Sequence, residues 1–539
     1  RGEDGSAVTA IAEEGYEFVG WSDGVQSATR TEENVQTDVE VTAQFRELDL
    51  PAFAGGNGTQ ESPYQINTLR HLRHMEQYPA AHYILTGNIT LTSVGQGQSN
   101  FTSLFDDETM FTGTFDGNGY TISNLTIYNT DTFYTGLFAC IGADGKVFDL
   151  TLESVHLQGT NYIGGVAGYA LGAVTNCMVT GEITYLSQNN YGVFLGGIAG
   201  RAENDLNGCT AEVAITANEV SGTAYAGGIA GYCAYNMQSV ESVITLASRS
   251  AITVTNADSN TRTVYAGGIF GYVAERLKLQ DCFAEGNIVI SNNSGYAGGL
   301  VGYFGSTSTL RNCYATGDVS GDSAGGLVGY FGSTSTLRNC YATGDVSSDS
   351  LAGGLIGGSN TNGDRLTNCY ATGNVSGRRT VGGLVGDCFA SNLTNCYATG
   401  NITVNAQSNS TVYAGGLVGR FSYDENTIQN SYSTSEIVYT GTADTAYFGG
   451  LVGYASEVTL TNAHWLYFAD SGAEYAVGYS STLGIPTNIG STKHTDISEF
   501  YDLADTLNEG LETPAWEHTG ANTLPTLIKN ENQTEEIAL

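Results

Sequence analysis

AGGLVGYFGSTSTLRNCYATGDVS occupies residues 297–320 and recurs without a change at 324–347. Each copy holds two short apolar segments separated by Gly, Asn, Ser and Thr, the pattern of strands and turns and not of helices. Looser copies of the GGLVG phrase begin at 135, 164, 196, 227, 267, 353, 382, 415 and 449, which makes eleven at spacings of 27 to 40 residues. Such a period belongs to solenoids and propellers. No segment of 10 to 15 residues with helical periodicity lies between Phe148 and Leu460, which argues against helical repeats and leucine-rich horseshoes. A propeller blade needs about four strands in 40 or more residues. The expected fold is therefore all-β, a parallel β-helix with one coil per unit, and the exact copy implies a lattice that accepts an added coil.

Stacked coils place equivalent residues at roughly the 4.8 Å strand spacing, so every repeat column becomes a ladder. Cys177, Cys209, Cys282, Cys313, Cys340, Cys369 and Cys396 form one column, continued by Leu125, Leu150, Ser242, Ser431 and Ala463. Leu, Ser and Ala in place of Cys describe a small or apolar inward position, which a free thiol fills well. Disulfides between adjacent coils are the alternative that this spacing leaves open. Metal binding is disfavoured, because the column has no CxxC pair and no accompanying His. Cys140, Cys233 and Cys388 lie near the glycine phrase instead.

The next column, Phe283, Tyr314, Tyr341, Tyr370, Tyr397, Tyr432 and His464, is turned outward by strand alternation. A second aromatic set follows the glycine phrase at Tyr169, Tyr232, Tyr272, Tyr303, Tyr330 and Tyr454. Outward tyrosines either stack across coils and stabilise the solenoid, or offer sugars or a protein partner a flat apolar face with a polar tip. The candidate ligand-binding residues are accordingly Tyr314, Tyr341, Tyr370, Tyr397, Tyr432, Tyr303 and Tyr330. Which of Leu300 and Val301 points inward is undecided, since both are apolar.

The 539 residues carry 19 Lys and Arg against 55 Asp and Glu, a net charge of −36, with 41% hydrophobic residues, 72 Gly and 6 Pro. The apolar content suits a large folded body. The charge repels phosphate backbones and anionic lipid heads, so no nucleic-acid partner is expected. No apolar run approaches the ~20 residues of a membrane span, and no membrane insertion is expected within this segment. The chain opens on Arg1 without a charged-then-apolar leader, so any export signal or anchor is expected outside it.

An open β-helix exposes two strand edges that must be covered. In INTLRHLRHM, Ile66, Leu69, Leu72 and Met75 recur three apart, with Asn67 as the expected N-cap. DISEFYDLADTLNEG shows a capping-box pattern from Asp496 to Glu499, an apolar face of Ile497, Phe500, Leu503, Ala504 and Leu507, and Gly510 as its end. Trp516 and Leu524 are expected in the core behind it. Near the start, AVTAIAEEGYEFVGWSDG and DVEVTAQF alternate as half-buried strands, with Val39, Val41, Ala43 and Phe45 on one face and Tyr16, Phe18 and Trp21 as bulky core. The division expected is a β module at 1–48, a linker at 49–63, an N-terminal cap and first coils at 64–130, the solenoid at 131–460 and a C-terminal cap with a short helix at 461–539.

The recurring GGLVG with NCYATG resembles the GLUG-motif repeats over roughly residues 130–460. GGNGTQESPYQINTLRHLRHM, HYILTGNITLT and GTFDGNGYTISNLTI are similar to the lead-in segment before such repeats in bacterial surface proteins. GYEFVGWSDG with VTAQF resembles divergent internalin-type B-repeats, a β-grasp-like module. The resemblance implies a secreted or surface-displayed bacterial protein of adhesin type, its β-helix a stalk or binding rod for a host or environmental glycan or protein. GLUG repeats also occur in the non-catalytic region of IgA-specific zinc metallopeptidases, whose HExxH is absent from this sequence.

Motifs that carry chemistry are sparse. GxSxG, a phosphate loop and an EF-hand pattern are missing. His71 and His74 share a helix face without a third ligand nearby. Paired Asp106 and Asp107 read as a solvated turn in preference to an acid and base pair. Parallel β-helices include polysaccharide lyases, but only Lys146, Lys278, Lys493 and Lys529 are available as lysine, leaving Arg276, Arg311 and Arg338 as the other basic residues of interest. No cofactor is expected beyond weak surface calcium. A non-catalytic adhesive rod is the favoured reading; a carbohydrate-active enzyme, or the targeting region of a larger secreted enzyme, is the runner-up.

Overall fold

The computed structural model describes residues 2–528 apart from 13–14, 49, 187–190, 235–243, 257–262, 292–293, 361–362, 390 and 424. Its main body is a β-solenoid of about 12 turns. One coil runs through the strands Val301–Phe304, Thr309–Arg311, Tyr314–Ala315 and Val319–Gly325. Each strand pairs in parallel with its equivalent one coil on: Val301 with Val328, Thr309 with Thr336, Tyr314 with Tyr341, Val319 with Val346. The identical sequences therefore lie directly over one another. Parallel pairing continues on both sides, building one sheet of 36 strands and another of 13 whose last strand, Ile485–Thr487, joins antiparallel.

The glycine phrase is a packing requirement. A Cβ on Gly299 would stand 2.1 Å from the carbonyl oxygen of Gly326, and one on Gly302 would stand 2.8 Å from the backbone nitrogen of Ala266. Leu300 and Val301 both point inward and are fully buried. Alternation fails there because the amides of both residues donate to the one carbonyl of Leu327, at 2.8 and 3.1 Å, which marks a bend between consecutive side chains. Each such buried Leu, Val or Phe contributes about 1.5–3 kcal/mol.

Both ends are capped. The helix Leu69–His74 has Thr68 as its N-cap, its hydroxyl accepting from the amide of His71 at 3.2 Å, so the expected Asn67 cap lies one residue early. Thr68 is the last extended residue before the helix, at φ −139°. Ile66, Leu72 and Met75 are buried beneath it. Phe53, within the stretch read as linker, is buried as well and stacks on Tyr64 at 4.1 Å between ring centroids. At the other end the expected single helix is two pieces, a 3-10 turn Ile497–Phe500 closed by the Asp496–Glu499 capping box and an α-helix Leu503–Leu507. Asp502, at φ −106° and ψ 13°, breaks them apart. The break leaves Ile497 exposed while Phe500, Leu503, Ala504, Leu507 and Trp516 are buried.

The first module pairs Tyr16–Trp21 with Ala43–Glu47 antiparallel, and Val8–Thr9 with Thr29–Arg30. Trp21 is buried, with Phe18 edge-on to it at 5.8 Å and Arg30 over its ring at 5.2 Å. Tyr16, expected in the core, is exposed, as are Val39 and Phe45 of the face expected to be shared by Val39, Val41, Ala43 and Phe45. So few short strands enclose one large side chain and leave the others at the surface.

Candidate functional site

The NCY corner builds the first tyrosine ladder. Asn312, Asn339, Asn368 and Asn395 sit at φ 52° to 54°, the left-handed region that Asn tolerates better than most residues. That turn sends the following Cys inward and the next Tyr outward. Each asparagine amide donates to the side chain below it: Asn312 to Asp281 at 2.8 Å, then Asn339 to Asn312, Asn368 to Asn339 and Asn395 to Asn368, each at 3.0 Å. This asparagine ladder was not anticipated from the sequence, although an Asn or Asp before the Cys in most units was its visible signal.

Behind it stand the thiols. All ten cysteines are buried thiols outside any disulfide, including Cys140, Cys233 and Cys388, which lie outside the main column; Ser242 of that column lies outside the described residues. Cys313, Cys340 and Cys369 each point their sulfur at a carbonyl of the neighbouring coil, at 3.5 to 3.7 Å. Burial raises their thiols well above the usual range, which suppresses the reactive thiolate. The folded protein is thus expected to give almost no reaction with a thiol reagent, and the unreduced, denatured chain all ten thiols; a denatured count near zero would overturn the free-thiol ladder.

The outward rings stack face to face. Centroids of Tyr314 and Tyr341, Tyr341 and Tyr370, and Tyr370 and Tyr397 are 5.0, 4.8 and 4.8 Å apart, with planes within 2° to 5°. Much of each ring face is spent on its neighbours, leaving edges and hydroxyls for solvent. The C-terminal cap then divides the column. Tyr397 and Tyr432 are buried, with Trp516 at 5.8 and 5.6 Å from their centroids, and the Tyr432 hydroxyl donates to the Pro525 carbonyl at 2.7 Å. Tyr432 is closed to a ligand, while Tyr397, though buried, still lines the groove that the cap leaves open. Tyr314, Tyr341 and Tyr370 remain half-buried and line an open groove of about 730 Å³. Asn312, Asn339 and Asn368 share its lining, and Thr519, Thr526 and Leu527 of the C-terminal segment form its other wall. Burial, then Tyr341, pushes the Tyr370 phenol up to about 12, and burial also raises Tyr314 and Tyr341. These hydroxyls keep their protons and can donate.

The second aromatic set is a double ladder. Tyr232, Tyr272, Tyr303 and Tyr330 stack at 5.2, 5.2 and 5.7 Å. Beside them runs a column the sequence reading passed over, Phe194, Tyr225, Tyr265 and Tyr296, at 4.8, 5.2 and 5.6 Å. Tyr265 meets Tyr272 edge-on at 5.0 Å, so Tyr303 and Tyr330 are held on two sides. The ladder stops where Gly358 and Asp387 take the tyrosine position, and Arg420 in the next coil pairs with Asp387, its Nε at 3.0 Å.

Other candidates resolve into structural roles. Asp106 caps a turn, accepting from the amide and hydroxyl of Thr109 at 2.8 Å each. His74 packs edge-on against Phe53 at 5.6 Å. Arg311 and Arg338 occupy equivalent positions of paired strands. Among the described residues no group of three or more His, Cys, Asp or Glu is arranged to hold a metal, and no helix is long and apolar enough to cross a membrane. One polar chain was not foreseen: half-buried Asn462, buried His464 and His494, and exposed Glu499, linked at 2.8, 3.0 and 3.3 Å.

Comparison with known proteins matches the description "Divergent InlB B-repeat domain" to residues 2–48 and "The GLUG motif" to residues 159–184, 293–320, 321–347 and 377–404. Halomucin of Haloquadratum walsbyi is 31% identical over 197 residues, 35% of this chain and 2% of that protein. A provisionally named Gly-rich membrane protein of Evansella cellulosilytica is 34% identical over 139 residues, 25% of this chain and 16% of that protein. The chain thus spans a small part of the curated relatives it matches. A crystal structure from Bacteroides ovatus, provisionally named an immunoglobulin A1 protease, aligns at TM-score 0.28 and 18% identity, covering 73% of this chain and 87% of that one. The chain carries a divergent InlB B-repeat domain followed by GLUG motifs.

Proposed function

We propose that this chain is a non-catalytic, extracellular or cell-surface rod of adhesin type, its solenoid a stalk and ligand-bearing surface for a host or environmental glycan or protein. The carrying observation is the use made of the repeated NCY and GGLVG units. Their Asn, Cys, Tyr and Gly join one coil to the next, in parallel register from one cap to the other. In such a lattice reach follows copy number. The charge of −36 favours solubility and resists sideways association. The names Halomucin and Gly-rich membrane protein, carried by partial relatives, support a place at the cell surface.

The test has two arms. Antibody against the solenoid is expected to label intact source cells, and a reducing-end assay with the purified chain is expected to show no product from polysaccharides. Labelling only after lysis would overturn the surface reading. Oligosaccharide release that disappears in Asp281→Asn or Glu517→Gln, the carboxylates lining the groove, would overturn the non-catalytic one.

A further inference from the structure

We propose that the groove over Tyr314, Tyr341 and Tyr370 binds an extended, β-1,4-linked polysaccharide without acidic groups, one sugar to each coil. The proposal rests on the ligand-bearing reading above and assigns that role to one face. Three observations converge on it.

The first is spacing. The rings repeat at 5.0 and 4.8 Å, and the asparagine amides repeat with them at the same strand separation. A β-1,4-linked hexopyranose chain is a flat ribbon whose advance per sugar is close to the separation of neighbouring strands. Laid along the solenoid axis it sets one sugar over each coil. Because alternate sugars are flipped, the same sugar face returns at every second coil, still in step with the rungs. An extended peptide on the same axis advances ~3.3 Å per residue and repeats a face every ~6.6 Å, so it falls out of step with the rungs.

The second is hydrogen-bonding capacity. Within the ladder, Asn339 donates one amide hydrogen to Asn312 and accepts one from Asn368. Each side-chain amide has two hydrogens and two lone pairs, so one of each is spare per rung. The phenols add a protonated hydroxyl per rung. Each rung thus offers both a donor and an acceptor, as sugar hydroxyls require, while ring edges and the Leu527 side chain supply the apolar contact.

The third is charge. The ionic residues in the groove lining are Asp281 and Glu517, on a chain of net charge −36. Uronic, sulfated or phosphorylated polymers are repelled, and neutral or amino sugars are not. The buried Tyr397 and Tyr432 mark one end of the groove.

Calorimetric titration with cellohexaose and with chitohexaose tests this, against maltohexaose, whose α-1,4 linkage curls the chain, and against oligogalacturonate, which is anionic. At least one of the first two is expected to bind and both controls to fail. Tyr341→Phe keeps the stack and removes one hydroxyl, and is expected to weaken binding about three- to tenfold. Tyr272→Ala removes an equally stacked ring from the other ladder and is expected to leave binding unchanged. Equal binding of maltohexaose, binding lost in Tyr272→Ala but retained in Tyr341→Phe, or no binding of either linear probe would overturn the proposal. The last outcome leaves the surface rod intact, since cell labelling and the absence of product do not depend on this groove.

Discussion

Gly326→Ala opens the solenoid between two coils. The new Cβ would stand 2.1 Å from the carbonyl oxygen of Gly354 and 2.8 Å from the Cβ of Ala342. The first of these is main chain held in the parallel ladder, so no rotamer change relieves the contact. Accommodating it means separating the coils by more than an ångström at the point where the Gly326 amide donates to the Gly353 carbonyl at 3.2 Å. Overpacking typically costs about 1–3 kcal/mol, and an immovable partner places this substitution at the upper end. In a repeat lattice the loss falls on one nearest-neighbour interface, so unfolding is expected to divide into two steps. Of the three tryptophans, Trp465 and Trp516 lie on the C-terminal side of that interface and Trp21 on the N-terminal side. In a Trp21→Phe background fluorescence therefore reports the C-terminal side alone, whereas circular dichroism reports strands on both sides. Urea titration should therefore show fluorescence and circular dichroism midpoints that no longer coincide. Gly87→Ala is the control: its Cβ would meet only Asn67, at 3.6 Å, and its expected cost is about 0.5 kcal/mol. Coincident transitions at the wild-type midpoint in Gly326→Ala would refute the close-packing account of the glycine column.

The repeat was legible because a column of equivalent residues reports its environment many times over. Cys, Leu, Ser and Ala at one position can only describe a small inward site, and the structure buries it. The tyrosine after it follows by alternation. Alternation misleads where the backbone bends, and so Leu300 and Val301 could not be told apart from sequence. The asparagine ladder was hidden because its role depends on a positive φ, which residue type favours without dictating. Tyr225, Tyr265 and Tyr296 were overlooked because they precede the glycine phrase, where a varied loop obscures the column. The groove was least legible of all. It exists because residues 515–528 fold back over Tyr397 and Tyr432 and stop short of Tyr341, and nothing local in WEHTGANTLPTLI announces that distant contact.

Acidification is expected to loosen the C-terminal cap well before the carboxylates titrate. The Asn462 amide donates to Asn430 at 3.0 Å and to the Thr506 carbonyl at 2.8 Å, which turns its oxygen toward His464. His464 therefore donates from Nε2, and its Nδ1 must accept from Nε2 of His494, 3.0 Å away. A proton added at Nδ1 destroys that bond and sets two ring donors against each other. Burial, then the neighbouring His494, accordingly pushes the His464 imidazole down to about 4, against ~6.5 in an unfolded chain. Between those values the unfolded state binds the extra proton, so stability rises with pH. The contribution is complete above about 6.5 and lost as pH falls through about 4, in all about 3 kcal/mol. Relief of repulsion among the net negative charges acts in the opposite direction as carboxylates protonate, so the informative quantity is a difference. His464→Phe keeps a ring beneath Tyr432 and cannot titrate. It is expected to be less stable at pH 7.5, because Asn462 and His494 lose a partner, and to converge with the wild type toward pH 4. Denaturant unfolding followed by tryptophan emission at half-unit steps measures the gap, and a gap that stays constant from pH 7.5 to 4 would show that His464 does not carry the pH dependence.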